Sequence, residues 1–226
     1  TSYYWNIGQI RFSIVQIDTE SKILYVHIPR TGGSWFSYAW NSNKNNLDVN
    51  IKGDFLWNNI NGRKTKCGRH GRLSGILEKI KEIRYDVVDF KILTTIRHPI
   101  DRILSSWVWF SQVKETAKKT GWKGIHDMLD EFAKGVVRVN YLPQTYWLLE
   151  DKAKFDVIYK FEDLLLDARL PRKMFPLFNS RSHSKLSRRG RTRGYKHYLK
   201  QDEIDRIKIL YKEDIDYLKP YYEDLK

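Results

Sequence analysis

Cysteine is almost missing from this chain: Cys67 is the only one. A single thiol builds no internal disulfide framework and no thiolate zinc site, and no His, Cys, Asp or Glu pair stands at metal-ligand spacing. A run of roughly 18 apolar residues is lacking too, so nothing reads as a membrane-spanning helix. The opening TSYYWNIGQIRFS has neither the basic start nor the apolar core of a signal peptide, and no N-x-[ST] acceptor occurs. These absences favour a reducing, cytoplasmic setting. The GxxxxGK[ST] spacing of the nucleoside-triphosphatase loop is also absent. Acidic residues vanish where basic ones crowd: 168–201 holds eleven Lys or Arg and no Asp or Glu. That window supplies most of the formal charge of +14. A surface of this kind implies an anionic partner: a nucleotide, a sulfated or uronic glycan, nucleic acid or an acidic membrane.

What is present suits one well-cored domain over 1–226, with 41% hydrophobic and 14% aromatic residues. Strands are expected at 10–17 and 23–28, antiparallel to each other, and the Asn-rich 41–61 reads as a long loop. A short strand at 64–67 precedes a helix over 74–83, with Ile76, Leu77, Ile80 and Ile83 on one face. A strand at 87–96 runs into Pro99, and a helix from Asp101 follows, carrying Ile103, Leu104, Trp107 and Val108. Helices at 125–134 and 144–150, a strand at 155–159 and a short helix at 173–178 come next. The loop at about 179–197 is basic and almost without apolar residues. An amphipathic helix over 201–218 closes the chain, its inner stripe Ile204, Ile207, Leu210, Tyr211 and Ile215. Strands alternating with helices argue an α/β fold with a mostly parallel central sheet flanked by helices.

The stretch ILYVHIPRTGGSWFSYAW, 23–40, organises the rest. A β-branched run leads into Pro29-Arg30-Thr31-Gly32-Gly33, and Ser34 then suits a helix start. Strand, glycine turn and helix start gather free backbone N–H groups around an anion, and the helix dipole adds to them. Two glycines let the backbone come close, while Arg30 and Thr31 add donors. An ordinary strand-to-helix turn is the plainer reading.

A second motif, TTIRHPIDRILSSW, puts Arg97 at a strand end and Ser105 on the first turns of the next helix. A guanidinium fork and a hydroxyl suit a phosphate dianion, although an Arg at a strand end also serves in structural ion pairs. Asp101 and Arg102 read as a cap and an ion-pair member. A third motif is GRHGRLSGILEKI, in which His70 precedes a helix and Arg72 stands two places on.

These motifs resemble the sulfotransferases that use 3′-phosphoadenosine 5′-phosphosulfate (PAPS), with a P-loop-like fold. IPRTGGSWF is similar to the 5′-phosphosulfate loop of their Golgi and bacterial carbohydrate branch, the group of the heparan sulfate 2-O-sulfotransferase-like enzymes. The branch's usual lysine is Arg30 here, which keeps charge but changes reach. The resemblance implies that Arg30, Thr31, Gly32, Gly33, Ser34 and Trp35 hold the 5′-phosphosulfate, Arg30 also acting in catalysis. It implies Arg97 and Ser105 at the 3′-phosphate and His70 as the base that takes the acceptor proton. Arg189 and Arg191, in the basic loop, would close on the nucleotide. Glu78 is the lesser candidate base. Pro143-Gln144-Thr145 resembles a triplet near the acceptor, and Phe161-Glu162-Asp163-Leu164 a structural step.

The co-substrate implied is PAPS, the product 3′-phosphoadenosine 5′-phosphate (PAP), and no metal is called for. The acceptor is a hydroxylated molecule, a carbohydrate by preference, with an anionic one allowed by the basic surface. The branch also allows a Golgi-lumenal catalytic domain trimmed from its anchor. Two rivals stand beside this reading: a P-loop-like small-molecule kinase or phosphotransferase, and a non-enzymatic basic protein binding glycan or nucleic acid. Nucleic acid is disfavoured because the basic window carries aromatic platforms only at its end, Tyr195 and Tyr198.

Overall fold

The computed structural model describes residues 16–18, 22–33, 57–60, 63–66, 71–82, 86–112, 120–136, 138–149, 154–166 and 194–225. In chain order the elements are β1 (Gln16–Asp18), β2 (Ile23–Val26), β3 (Trp57–Ile60), β4 (Arg63–Lys66), α1 (Leu73–Glu82), β5 (Lys91–Ile96) and α2 (Pro99–Gln112). They continue as α3 (Ile125–Ala133), α4 (Thr145–Leu148), β6 (Val157–Lys160), α5 (Phe161–Leu166), α6 (Gln201–Leu210) and α7 (Lys212–Leu218). The expected helix at 173–178 and the basic loop up to residue 193 lie outside the described residues.

The central sheet has the order β1-β2-β5-β6. β1 runs antiparallel to β2, while β2, β5 and β6 are mutually parallel, Tyr25 facing Leu93 and Thr94 facing Ile158. The mostly parallel α/β sheet expected from the alternation is therefore present. Every residue of β2 is buried, as a parallel strand covered on both faces requires. Leu24 and Val26 meet Leu73, Ile76 and Ile80 of α1 on one side of the sheet. Ile28 and Ile96 pack with Trp147, Ile215 and Leu218 in a second cluster. The third joins Ile100, Ile103 and Leu104 of α2 to Met128, Leu129, Ile204 and Ile207.

Several boundaries differ from expectation by a residue or more, and those at 57–60, 91, 99 and 211 have a local reason. The Asn-rich 41–61 ends in strand β3, which pairs with β4 so that Ile60 faces Arg63. The partner strand satisfies backbone groups that composition alone assigns to a loop. β5 begins at Lys91 because Phe90 N–H bonds Val87 C=O at 3.0 Å, closing a turn that leaves Val88 in solvent. α2 begins at Pro99, whose missing N–H costs nothing at a first helical position. The closing helix breaks at Tyr211, into α6 and α7. No glycine or proline causes that break. Tyr211 is buried, its ring stacked on Phe132 at 4.8 Å and its hydroxyl donating to Tyr141 C=O at 2.6 Å.

Candidate anion-binding site

The segments 29–33, 97–105 and 161–162 follow the carboxyl ends of three neighbouring parallel strands, β2, β5 and β6. That edge is where open parallel sheets leave a crevice. At the first of these segments the turn is held in backbone conformations that side chains rarely adopt. Arg30 sits at φ +68 and Gly32 at φ +97, and strain of this kind in a non-glycine residue marks a place the surrounding structure insists on. A Cβ on Gly32 would lie 2.4 Å from the Phe161 ring, and one on Gly33 1.9 Å from the His27 ring. Thr31 is fully buried and donates to Ile28 C=O at 2.8 Å. Its Oγ1 also lies 2.9 Å from Thr95 Oγ1, which stands 2.6 Å from the Tyr25 hydroxyl. This chain of hydroxyls bolts the turn to β5, and burial holds the Tyr25 phenol well above its ordinary pKa.

The second motif closes on the first. Arg30 donates through Nε and Nη2 to Ser105 Oγ, at 3.2 and 2.9 Å. Arg97 donates through Nη1 to Arg30 C=O at 3.4 Å. Its guanidinium lies 4.7 Å from the centre of the Phe161 ring, the same ring that fills the space beside Gly32. Arg30 has its own aromatic neighbour, Trp109, at 6.0 Å. Two guanidiniums, a hydroxyl and a glycine turn therefore meet within one hydrogen-bonded group. Arg30, Thr31, Gly32, Gly33, Arg97 and Ser105, drawn from motifs far apart in the chain, are together. Ser34, Trp35, His70, Arg189 and Arg191 lie outside the described residues. Glu78 is exposed on α1, as a solvated helix position would be.

Sequence reasoning missed what stands behind these residues. Gln144 is fully buried and grips the peptide of Arg97 from both sides. Its Oε1 accepts from Arg97 N–H at 2.9 Å and its Nε2 donates to Arg97 C=O at 2.8 Å. Asp214 of α7, fully buried, accepts the N–H groups of Gln144 and Thr145, both at 2.8 Å. Burial raises the Asp214 carboxyl above its usual range, opposed chiefly by the charge of Arg102. Arg102 is itself fully buried, and its Nε donates to Pro29 C=O at 2.9 Å, underneath the turn. Burial lowers its pKa, against the pull of Asp214. Asp214 acts on Arg102 through its charge, without a direct bond between them, and the Nη1 and Nη2 atoms of Arg102 are buried without a hydrogen-bond partner among the described residues. One signal was available: Asp214 falls on the inner stripe of the last helix, one turn from Tyr211, where an acid has no reason to be unless paired.

Two clefts border this group. One, of about 470 Å³, is lined by Arg72, Phe132, Val136, Pro143, Thr145 and Tyr146, so it begins on either side of Gln144. In it the Arg72 guanidinium lies 5.0 Å from the centre of the Tyr146 ring. The other, of about 450 Å³, has His98, Glu162, Tyr195, Lys196, Tyr222 and Asp224 in its wall. His98 is stacked on Tyr195 at 4.8 Å and stands edge-on to Tyr222 at 5.2 Å. Burial lowers its pKa to about 4, the Asp224 carboxylate pulling the other way. Its backbone N–H donates to Glu162 Oε1 at 3.0 Å, and Glu162 Oε2 accepts from the Tyr222 hydroxyl at 2.9 Å. Glu162 thus joins α5 to the chain's last turn, which agrees with a structural part for that segment. Among the described residues no group of three or more His, Cys, Asp or Glu could hold a metal ion. Nor is any helix among them long and apolar enough to cross a membrane.

A family model described as Sulfotransfer_2, sulfotransferase family, matches residues 14–222. No curated protein and no solved structure matches the chain.

Proposed function

The chain belongs to the sulfotransferase family, and from that membership we propose that it moves the sulfuryl group of PAPS to an acceptor hydroxyl, most suitably on a carbohydrate. One observation carries the donor assignment: Arg30 and Arg97 converge on the glycine turn and Ser105 within a single hydrogen-bonded group. Two cations beside a glycine turn suit a ligand with two anionic ends.

On this reading the 5′-phosphosulfate lies along 30–35, and Arg97 with Ser105 holds the 3′-phosphate. The donor supplies a sulfuryl group whose sulfur the acceptor oxygen attacks as the bond to the phosphate oxygen breaks. Arg30 and the turn N–H groups offset the charge that grows on the departing phosphate. His70 takes the acceptor's proton, so PAP leaves as the anion and the product is a sulfate ester. The acceptor lies in the cleft of Arg72 and Tyr146. An aromatic face beside a guanidinium suits a sugar ring bearing a carboxylate or sulfate. Arg189 and Arg191 would close over the nucleotide.

The test is calorimetry and turnover on two variants. Arg97→Ala should weaken PAP by about 2–3 kcal/mol, on the order of 100-fold, as loss of a charge-assisted contact does. His70→Ala should abolish transfer with PAP affinity intact. Undiminished PAP binding by Arg97→Ala rejects the 3′-phosphate assignment, and wild-type turnover by His70→Ala removes that residue from the chemistry.

A further inference from the structure

We infer that Gln144 is a positioning residue for Arg97, setting the donor's 3′-phosphate site from the N-cap of α4. The inference rests on the donor reading above. An amide that both accepts from a residue's N–H and donates to its C=O ties down the two peptide groups on either side of that residue's Cα, and so the direction in which its side chain leaves. Arg97 is the first residue after β5 and lies before Pro99, where no regular element constrains it.

Gln144 is in turn not free to drift. Its own N–H and that of Thr145 end on the two oxygens of buried Asp214. Asp214 acts electrostatically on Arg102, which holds the Pro29 carbonyl at the root of the glycine turn. One buried set of polar groups on α7, α4 and α2 thereby reaches both halves of the donor site, the Arg97 peptide and the 29–33 turn. A buried amide that bonds both backbone groups of one arginine does what an apolar side chain of its size does not, since that would leave the N–H and the C=O unpaired.

The experiment compares two nucleotides that differ only in the 3′-phosphate, PAP and adenosine 5′-monophosphate, on the full chain by calorimetry. Gln144→Ala should weaken PAP roughly tenfold, the scale of one lost hydrogen-bonded constraint, and leave adenosine 5′-monophosphate unchanged. In an Arg97→Ala background the same substitution should cost PAP nothing more, since the two residues act as one unit. Gln144→Met, of nearly the same volume, should repeat the pattern while keeping the packing, so a folding defect is told apart from lost positioning. Equal loss on both nucleotides, or a full loss in the Arg97→Ala background, overturns the inference. If Arg97→Ala itself leaves the preference for PAP over adenosine 5′-monophosphate intact, it is the donor reading that fails instead.

Discussion

A methyl group added at Gly33 would stand 1.9 Å from the His27 ring, and one at Gly32 2.4 Å from Phe161. The two glycines nevertheless fail differently. Gly33 has an ordinary backbone, so its difficulty is the neighbouring ring alone. Gly32 lies at φ +97, where any side chain is strained whatever the space. Gly33→Ala should cost about 1–3 kcal/mol in urea unfolding, as overpacking does, and adding His27→Ala should recover most of the turn's nucleotide binding. Gly32→Ala paired with Phe161→Ala should recover little. Equal rescue at both positions would contradict the backbone argument.

His98 makes a pH prediction. Its pKa falls from an ordinary 6.5 to about 4 in the folded chain, chiefly by burial. Between those values the unfolded chain binds a proton that the folded one refuses, so stability rises with pH across the window and is lost as pH falls through it. The contribution is at most about 3 kcal/mol. Thermal melts of wild type and His98→Gln at pH 7 and pH 4.5 check it: the wild type should lose more stability over that drop. Parallel losses in the two proteins would assign acid sensitivity to other groups.

Among the elements, the last helix does more than cover the sheet. Its break at Tyr211 is followed by α7, whose Asp214 meets the N-terminus of α4. Removing that carboxylate leaves two N–H groups without their acceptor and takes from Arg102 a charge that favours its charged form. Asp214→Ala should therefore destabilise the chain by about 3–5 kcal/mol, the scale of two lost hydrogen bonds to a buried carboxylate. Asp214→Asn keeps one acceptor oxygen and should lose less. Urea midpoints separate the two; matching midpoints would mean the negative charge, rather than the acceptor oxygens, is what α4 and Arg102 require.

For the whole molecule, a ligand that binds only the folded state adds stability by mass action. PAP at a hundredfold its dissociation constant should add about 2.7 kcal/mol, seen as a raised melting temperature. ATP, which lacks the 3′-phosphate that Arg97 would hold, should raise it less at equal concentration. Transfer should also continue in EDTA, since the proposed chemistry uses a guanidinium and an imidazole. A larger shift with ATP, or activity lost with chelator, would favour a metal-dependent phosphotransferase.

How much of this was readable beforehand depends on the range of the interactions involved. The α/β alternation, the parallel sheet and the stripe of Ile204, Ile207, Tyr211 and Ile215 came from local pattern, while the pairing of the glycine turn with Arg97 came from the family resemblance of the two motifs. Hydrophobic period and turn chemistry act between neighbours along the chain, so the amino-acid order carries them without help. The bonds that Gln144, Asp214 and Arg102 make did not show themselves, because a polar side chain gives no local sign of whether its partner is water or a residue 70 positions away. The left-handed Arg30, the break at Tyr211 and the depressed pKa of His98 belong to the same class. Each follows from burial, and burial is decided only when distant segments pack together.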